Sequence, residues 1–269
     1  MVRSDEFFLK KWVSYYGERL GKENLYIFFD GKDQDIPPCC EGTNAVLCDR
    51  VAGNVARADK GRIRFLSKRA EELFERYDIV IGTDVDEFLV VDPDLGLSLP
   101  EYLSSLKIKG SVSGLGIDVG QNLNTEQPID PSRPFLEQRT YGYLSSRYTK
   151  TNTLSEPIEW GSGFHRVEGH QYHIDPNLYL FHFGCIDFKR LQERIDGSDR
   201  IANGWSAHLK RRARTIRVVT NTKPGEWDKL VPLMRWIQVH TRAIHTLNKP
   251  TTLGLKLVVR IPEKFHKIL

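Results

Sequence analysis

The chain is expected to fold as an α/β protein, with a mostly parallel sheet flanked by helices and a helical C-terminal extension. Two observations carry this expectation. Over the first two-fifths of the chain, short apolar runs of strand length alternate with longer stretches of helical periodicity. Acidic residues follow two of those runs closely, at Asp30 and at Asp84.

The elements follow in order. Ser4 and Asp5 suit the cap of a first helix, and Glu6 suits its first turn. Leu9, Val13, Tyr16 and Leu20 then recur at helical spacing until Gly21. Residues 25–29 form an apolar run ended by the turn pair Asp30 and Gly31, and residues 45–48 form a second strand. Leu66, Ala70, Leu73, Phe74 and Tyr77 share a helical face, with Ser67 as its expected cap. Residues 79–81 are the third strand. Residues 110–119 read as a strand interrupted by glycines, and 121–135 as a long loop. Residues 178–183 are a clear strand. Leu230, Met234, Ile237, Thr241 and Ile244 set a C-terminal helix that Asn248 and Pro250 stop. The expected division is a domain over 1–190 and a basic, mainly helical extension over 191–269.

Composition narrows the function classes. With 40% hydrophobic and 28% charged residues, the 269-residue chain can bury a core and is not of the disordered class. Cys39, Cys40, Cys48 and Cys185 make neither a disulfide framework nor a C-x-x-C zinc spacing, which points to a reducing compartment. No apolar stretch approaches the ~20 residues of a membrane helix. The charged, amphipathic start is unlike a signal peptide. A cytoplasmic protein is expected, with any membrane contact peripheral. The net charge is +4, densest over 208–217. That run reads as a solvated helix face or as a contact for anionic headgroups or an acidic acceptor. No nucleic-acid-binding motif accompanies it, so nucleic acid is not an expected partner.

The chemistry concentrates at Asp84, Asp86 and Glu87. In a parallel sheet, ligands bind beyond the carboxyl ends of the strands, so Asp30, Asp84 and Asp86 are expected on one sheet edge. Carboxylates at i and i+2 after a buried strand suit a hard divalent cation that also meets substrate phosphates. His182 shares a strand face with Leu178 and Leu180, and an imidazole there needs a partner. His165, His170 and His173 match no zinc spacing. The last two are expected to be structural or on the surface.

Asp84-Val85-Asp86-Glu87-Phe88 resembles the D-x-D motif of GT-A glycosyltransferases, in particular the family-2-like branch whose motif reads D-x-D-E-F. Arg3, Glu6, Trp12, Tyr15 and Tyr16 resemble that branch's opening pattern, with Ser4 and Tyr16 where Asn and His are usual. Residues 28–35 resemble its nucleotide-contacting turn, and the likeness runs from residue 2 to about 190. The resemblance implies a nucleoside-diphosphate sugar donor, a UDP-sugar in first place, and a carbohydrate or glycolipid acceptor. By position it implies Arg3, Asp5 and Asp30 around base and ribose, and Asp84 facing ribose and metal. It further implies Asp86 and His182 on a Mn²⁺ or Mg²⁺, and Lys150 beside the departing diphosphate. Residues 159–165 resemble a glycine-bearing donor-sugar segment that includes His165, and Trp160 within it reads as a core tryptophan or as an apolar platform for a sugar ring.

Inverting transfer, expected by analogy, needs a carboxylate base. Glu156, Glu159, Glu168 and Asp175 are the candidates, and Glu159 is preferred because it adjoins the glycine segment. Two other readings compete. One is a sugar-phosphate nucleotidyltransferase, disfavoured because Arg3-Ser4-Asp5-Glu6 stands where a glycine-rich basic segment is usual. The other is a non-catalytic carbohydrate-binding protein on a degenerate scaffold.

Overall fold

The computed structural model describes residues 1–51, 55–167, 173–196, 213–241 and 250–269. The architecture is mixed α/β. Helix α1 (Glu6–Leu20) buries Phe8, Leu9, Val13, Tyr15 and Tyr16 along one face. Asp5 stands at its N-cap position but makes no side-chain cap bond. Its carboxylate instead meets Arg194 at 3.0 Å. Strands β1 (Tyr26–Asp30) and β2 (Asn44–Cys48) pair in parallel. Helix α2 (Val55–Leu73) begins well before Ser67, because buried Ile63 extends the apolar face upstream. Ser67 is therefore no cap. It lies inside the helix, and its hydroxyl accepts the Trp160 N–H at 3.0 Å.

The remaining described strands form one larger sheet: β3 (Val80–Ile81), β4 (Glu87–Val91), β5 (Ser111–Gly120), β6 (Tyr141–Leu144), β7 (Thr153–Leu154), β8 (Ile174–Cys185) and β9 (Val258–Arg260). Here the expected mostly parallel sheet is corrected. Within this sheet β5 and β8 are the parallel pair, and the other pairs are antiparallel. Parallel neighbours need long crossovers, usually helical. Between β5 and β8 the described residues contain only one short α-helix, α4 (Phe135–Gln138). Strands β6 and β7, which lie in that stretch, return directly and pair antiparallel with β5.

The core sits on β5 and β8. Every residue of β5 is buried, and so are residues 178–183 of β8. Phe183 packs on Phe88 and Phe135 with ring centroids 5.4 and 5.5 Å apart. The glycine breaks foreseen in β5 have a packing cause at Gly116. A Cβ there would lie 2.3 Å from the Tyr148 carbonyl carbon, so only glycine lets residues 145–150 cross the strand. The Thr149 hydroxyl accepts the Gly116 N–H at 2.9 Å, and the Gly116 carbonyl accepts the Ser145 N–H at 3.0 Å.

Beyond the sheet core lie α3 (Leu99–Ser105), α5 (Phe188–Asp196), α6 (Arg214–Asn221) and α7 (Trp227–His240). Strand β9 pairs with β6, so the segment after residue 190 completes the same sheet as well as adding helices. Ile244 and Asn248, expected at the end of α7, lie outside the described residues, as do 208–212 of the basic run. Arg214 and Arg217 of that run are exposed on α6. A cavity of about 680 Å³ lies between β1 and β3, lined in part by Phe28, Ile81 and Trp160. No described helix is long and apolar enough to cross a membrane.

Candidate metal centre

The acidic turn is clamped by α1. Trp12 donates its indole N–H to the Thr83 hydroxyl at 2.8 Å. The Tyr16 hydroxyl accepts the Leu89 N–H at 2.8 Å and donates to the Glu87 carbonyl at 3.3 Å. The Tyr15 hydroxyl donates to the Leu89 carbonyl at 2.7 Å. The Trp and the two Tyr residues thus fix the start of β4, directly after the acids.

Strand register supplies the rest. His182 of β8 lies opposite Glu87 of β4 on one side and opposite Asp118 of β5 on the other. Directly opposed residues face the same side of a sheet, which gathers all three. His182 is fully buried. Its Nδ1 lies 2.7 Å from Asp118 Oδ1, and the Thr215 hydroxyl donates to the other Asp118 oxygen. The Tyr148 ring stacks on the imidazole at 3.7 Å. A carboxylate on one ring nitrogen sets the tautomer and leaves the other nitrogen free to ligate.

That other nitrogen, Nε2, is buried without a hydrogen bond, and Asp86 Oδ2 stands 3.5 Å away. Beside both atoms the missing side chain of Gly184 leaves space. A Cβ there would lie 2.8 Å from His182 Nε2 and 3.0 Å from Asp86 Oδ2. Donor atoms of Asp86, Glu87 and His182 all lie within 4.8 Å of one another. A carboxylate oxygen, an imidazole nitrogen and adjoining space fit a divalent cation.

Charge is balanced tightly around this group. Burial would raise the Asp86 carboxyl, but the charge of nearby His182, with Arg194, holds it well below the usual carboxylate range. Burial opposes a charged His182, yet the carboxylates of Asp86 and Asp118 push its pKa up to about 9. Arg194 reaches Asp86 at 3.8 Å and Asp5 at 3.0 Å. Buried Lys150 bonds Asp84 at 3.0 Å and Glu87 at 2.5 Å. Arg62 holds the other Asp84 oxygen at 2.7 Å.

The expected site residues therefore separate. Asp86 and His182 meet. Asp84 has both carboxylate oxygens on cations, one step back from them, and Glu87 braces the turn through Lys150. Arg3 pairs with Asp33 at 2.8 and 2.7 Å and donates to the Asp30 carbonyl at 2.9 Å. The Asp30 carboxylate accepts the Val51 N–H at 2.7 Å. Trp160 is a core tryptophan at 3% exposure, its indole N–H on the Thr151 carbonyl at 2.7 Å, and so not an open sugar platform. Its neighbour Phe164 packs against Gly82 beneath the Arg62 and Lys150 cations, and His165 follows, half-buried.

Among the base candidates, Glu156 and Glu159 are exposed. Asp175 is buried against the Tyr102 hydroxyl at 2.9 Å, seven residues and roughly 23 Å along β8 from His182. Glu168 and His170 lie outside the described residues. His173 is exposed and 4.0 Å from Asp175. Residues not foreseen are Asp118, Tyr148, Arg62, Arg194 and Gly184. Asp118 carried a signal, being the only acid in the apolar run 111–119. The others are ordinary residues until folding brings them together. No family model matches the chain, and no curated protein matches it in sequence.

Two outcomes follow from this geometry. Gly184 has ordinary extended backbone, but a Cβ there would lie 2.7 Å from His182 Cε1, so Gly184→Ala fills the space beside the donors and pushes on the imidazole. Calorimetric titration should show Mn²⁺ affinity reduced roughly tenfold or more, as on loss of an outer-shell partner. Unchanged affinity would place the ion elsewhere. The second concerns pH without added metal. His182 has its folded pKa raised to about 9, above an unfolded value of about 6.5. Its contribution is full below about pH 6.5 and is lost as pH rises through 9, by up to about 3 kcal/mol. Urea unfolding in chelator at pH 6 and pH 9 should show that loss in the native chain and much less of it in His182→Asn.

Proposed function

We propose that the chain is a metal-dependent glycosyltransferase of the GT-A type, moving a sugar from a nucleoside-diphosphate donor to a hydroxyl of a carbohydrate or glycolipid acceptor. The observation that carries the reading is the buried, unbonded Nε2 of His182 facing Asp86 across the space at Gly184. The D-x-D-E-F segment after β3, and the parallel β1–β2 pair ending at Asp30, are further support. When bound, Mn²⁺ or Mg²⁺ supplies positive charge against a diphosphate leaving group.

The residues of the chain have distinct tasks in this reading. Asp86 and His182 hold the ion, and Asp118 fixes the imidazole through Nδ1. Lys150 and Arg62 hold Asp84 toward the donor ribose and keep positive charge where diphosphate charge develops. Arg3, Asp5 and Asp30 lie along the nucleotide side, on the N-terminal segment and the end of β1. Glu159 takes the acceptor proton, and its exposed position leaves it open to an incoming hydroxyl. Transfer with inversion and preference for a UDP-sugar rest on the family resemblance.

Melting temperature should rise with UDP plus Mn²⁺ together and much less with either alone. Asp86→Ala should abolish that coupling with the fold intact, and a retained shift would move the metal elsewhere. GDP, CMP and dTDP in the same assay identify the base. A metal-dependent shift without sugar transfer would favour the carbohydrate-binding reading. Separately, Glu159→Gln should lower kcat by about 10²- to 10⁴-fold while leaving the UDP–Mn²⁺ shift in place. An unchanged kcat would remove Glu159 as the base.

A further inference from the structure

Arg194 stands beside the metal centre with more donors than acceptors. It lies on α5, whose Leu191 and Ile195 pack with Cys185 of β8 and Ile216 of α6. That packing holds the helix in place, and the Arg194 guanidinium lies over the Phe8 ring of α1 at 5.5 Å. The side chain is 22% exposed, and its Nη2 meets Asp5 at 3.0 Å. Nη1 stands 3.8 Å from Asp86 Oδ2, which is longer than a hydrogen bond. Nε is buried with no hydrogen bond. A buried N–H left without an acceptor is costly, and in a folded protein it calls for a water, an ion or a ligand.

The atom that Arg194 faces decides which. Asp86 Oδ2 is the same oxygen that stands 3.5 Å from His182 Nε2 and borders the space at Gly184. A divalent cation held there would share this oxygen with the guanidinium, and the two positive charges repel. The neighbouring carboxylates are already engaged: Asp84 by Arg62 and Lys150, Glu87 by Lys150, and Asp118 by His182 and Thr215. Water would satisfy Nε but leave the repulsion in place. An anion that ligates the metal with one oxygen and accepts from the guanidinium with others relieves both. A diphosphate does this, because the planar fork of arginine matches phosphate oxygens and divalent cations bridge phosphates.

We infer that Arg194 binds the diphosphate of the donor: with the cation on Asp86 and His182, its guanidinium turns from Asp86 to phosphate oxygens while Asp5 keeps hold of Nη2. The inference rests on the sugar-donor reading above, and adds to it a residue beyond the stretch that the family resemblance covers.

The full chain is titrated calorimetrically with Mn²⁺ alone, and then at saturating Mn²⁺ with UDP and with inorganic pyrophosphate. Arg194→Gln should weaken UDP and pyrophosphate by about tenfold to a hundredfold, the worth of a charge-assisted hydrogen bond or two. Mn²⁺ alone should bind this variant as well as the native chain, or better. Arg194→Lys keeps the charge but not the fork, and should fall between native and Arg194→Gln. Melting temperatures check that both variants fold, and the lysine variant alone carries the test if the other does not. Native affinity for pyrophosphate and UDP in the variants overturns the inference. So does a loss confined to Mn²⁺ alone, which would make Arg194 a brace for Asp86. Pyrophosphate binding that the variants lose, with no preference for UDP and no sugar transfer, keeps Arg194 as a diphosphate ligand and removes the sugar donor. A native chain that binds neither UDP nor pyrophosphate overturns both.

Discussion

The site depends on the register of β8 between β4 and β5. Strand side chains alternate, so a slip of one residue would turn His182 to the other face and bring Phe181 or Phe183 in its place. The antiparallel ladder to β4 and the parallel ladder to β5 hold it from both sides. Both faces of β8 are buried here, so a slip would also disrupt the Phe88, Phe135 and Phe183 packing. The crossing of residues 145–150 over Gly116 then sets Tyr148 on the imidazole and brings Lys150 to the acids.

A second constraint is electrostatic. Asp84, Asp86, Glu87 and Asp118 lie close together, and buried acids are tolerated only when paired. Each has a partner: Arg62 and Lys150 for Asp84, Lys150 for Glu87, His182 and Arg194 for Asp86, His182 and Thr215 for Asp118. These pairings come from α2, the 145–150 crossing, β8, α5 and α6. The centre is thus assembled from most of the chain. Such a centre keeps its negative charge only because surrounding cations hold it, which is also what a phosphate-bearing ligand would meet there.

The C-terminal segment contributes to both the site and the sheet. It contributes Thr215 to Asp118, β9 to the sheet edge, and α7 to the outside.

Strand positions and the acidic turn were legible in the sequence because they are local. Apolar runs at 25–29, 45–48, 79–81 and 178–183 became strands, and Asp86 and His182 could be singled out by their neighbours in the chain. Pairing direction was not legible, because an apolar strand is compatible with either direction until its connections are known. Ser67 misled as a cap because the helical face begins earlier. Trp160 could line a ligand or, more commonly for a tryptophan, fill a core, and burial against Thr151 and Phe164 made it core. By itself the sequence determined that an acid pair follows a buried strand and that a histidine stands on another. Only the tertiary structure decided that Asp118 locks that histidine, that Asp84 is held by cations, and that Gly184 leaves space beside the donors. These depend on residues distant in sequence meeting at van der Waals range, which no local pattern encodes.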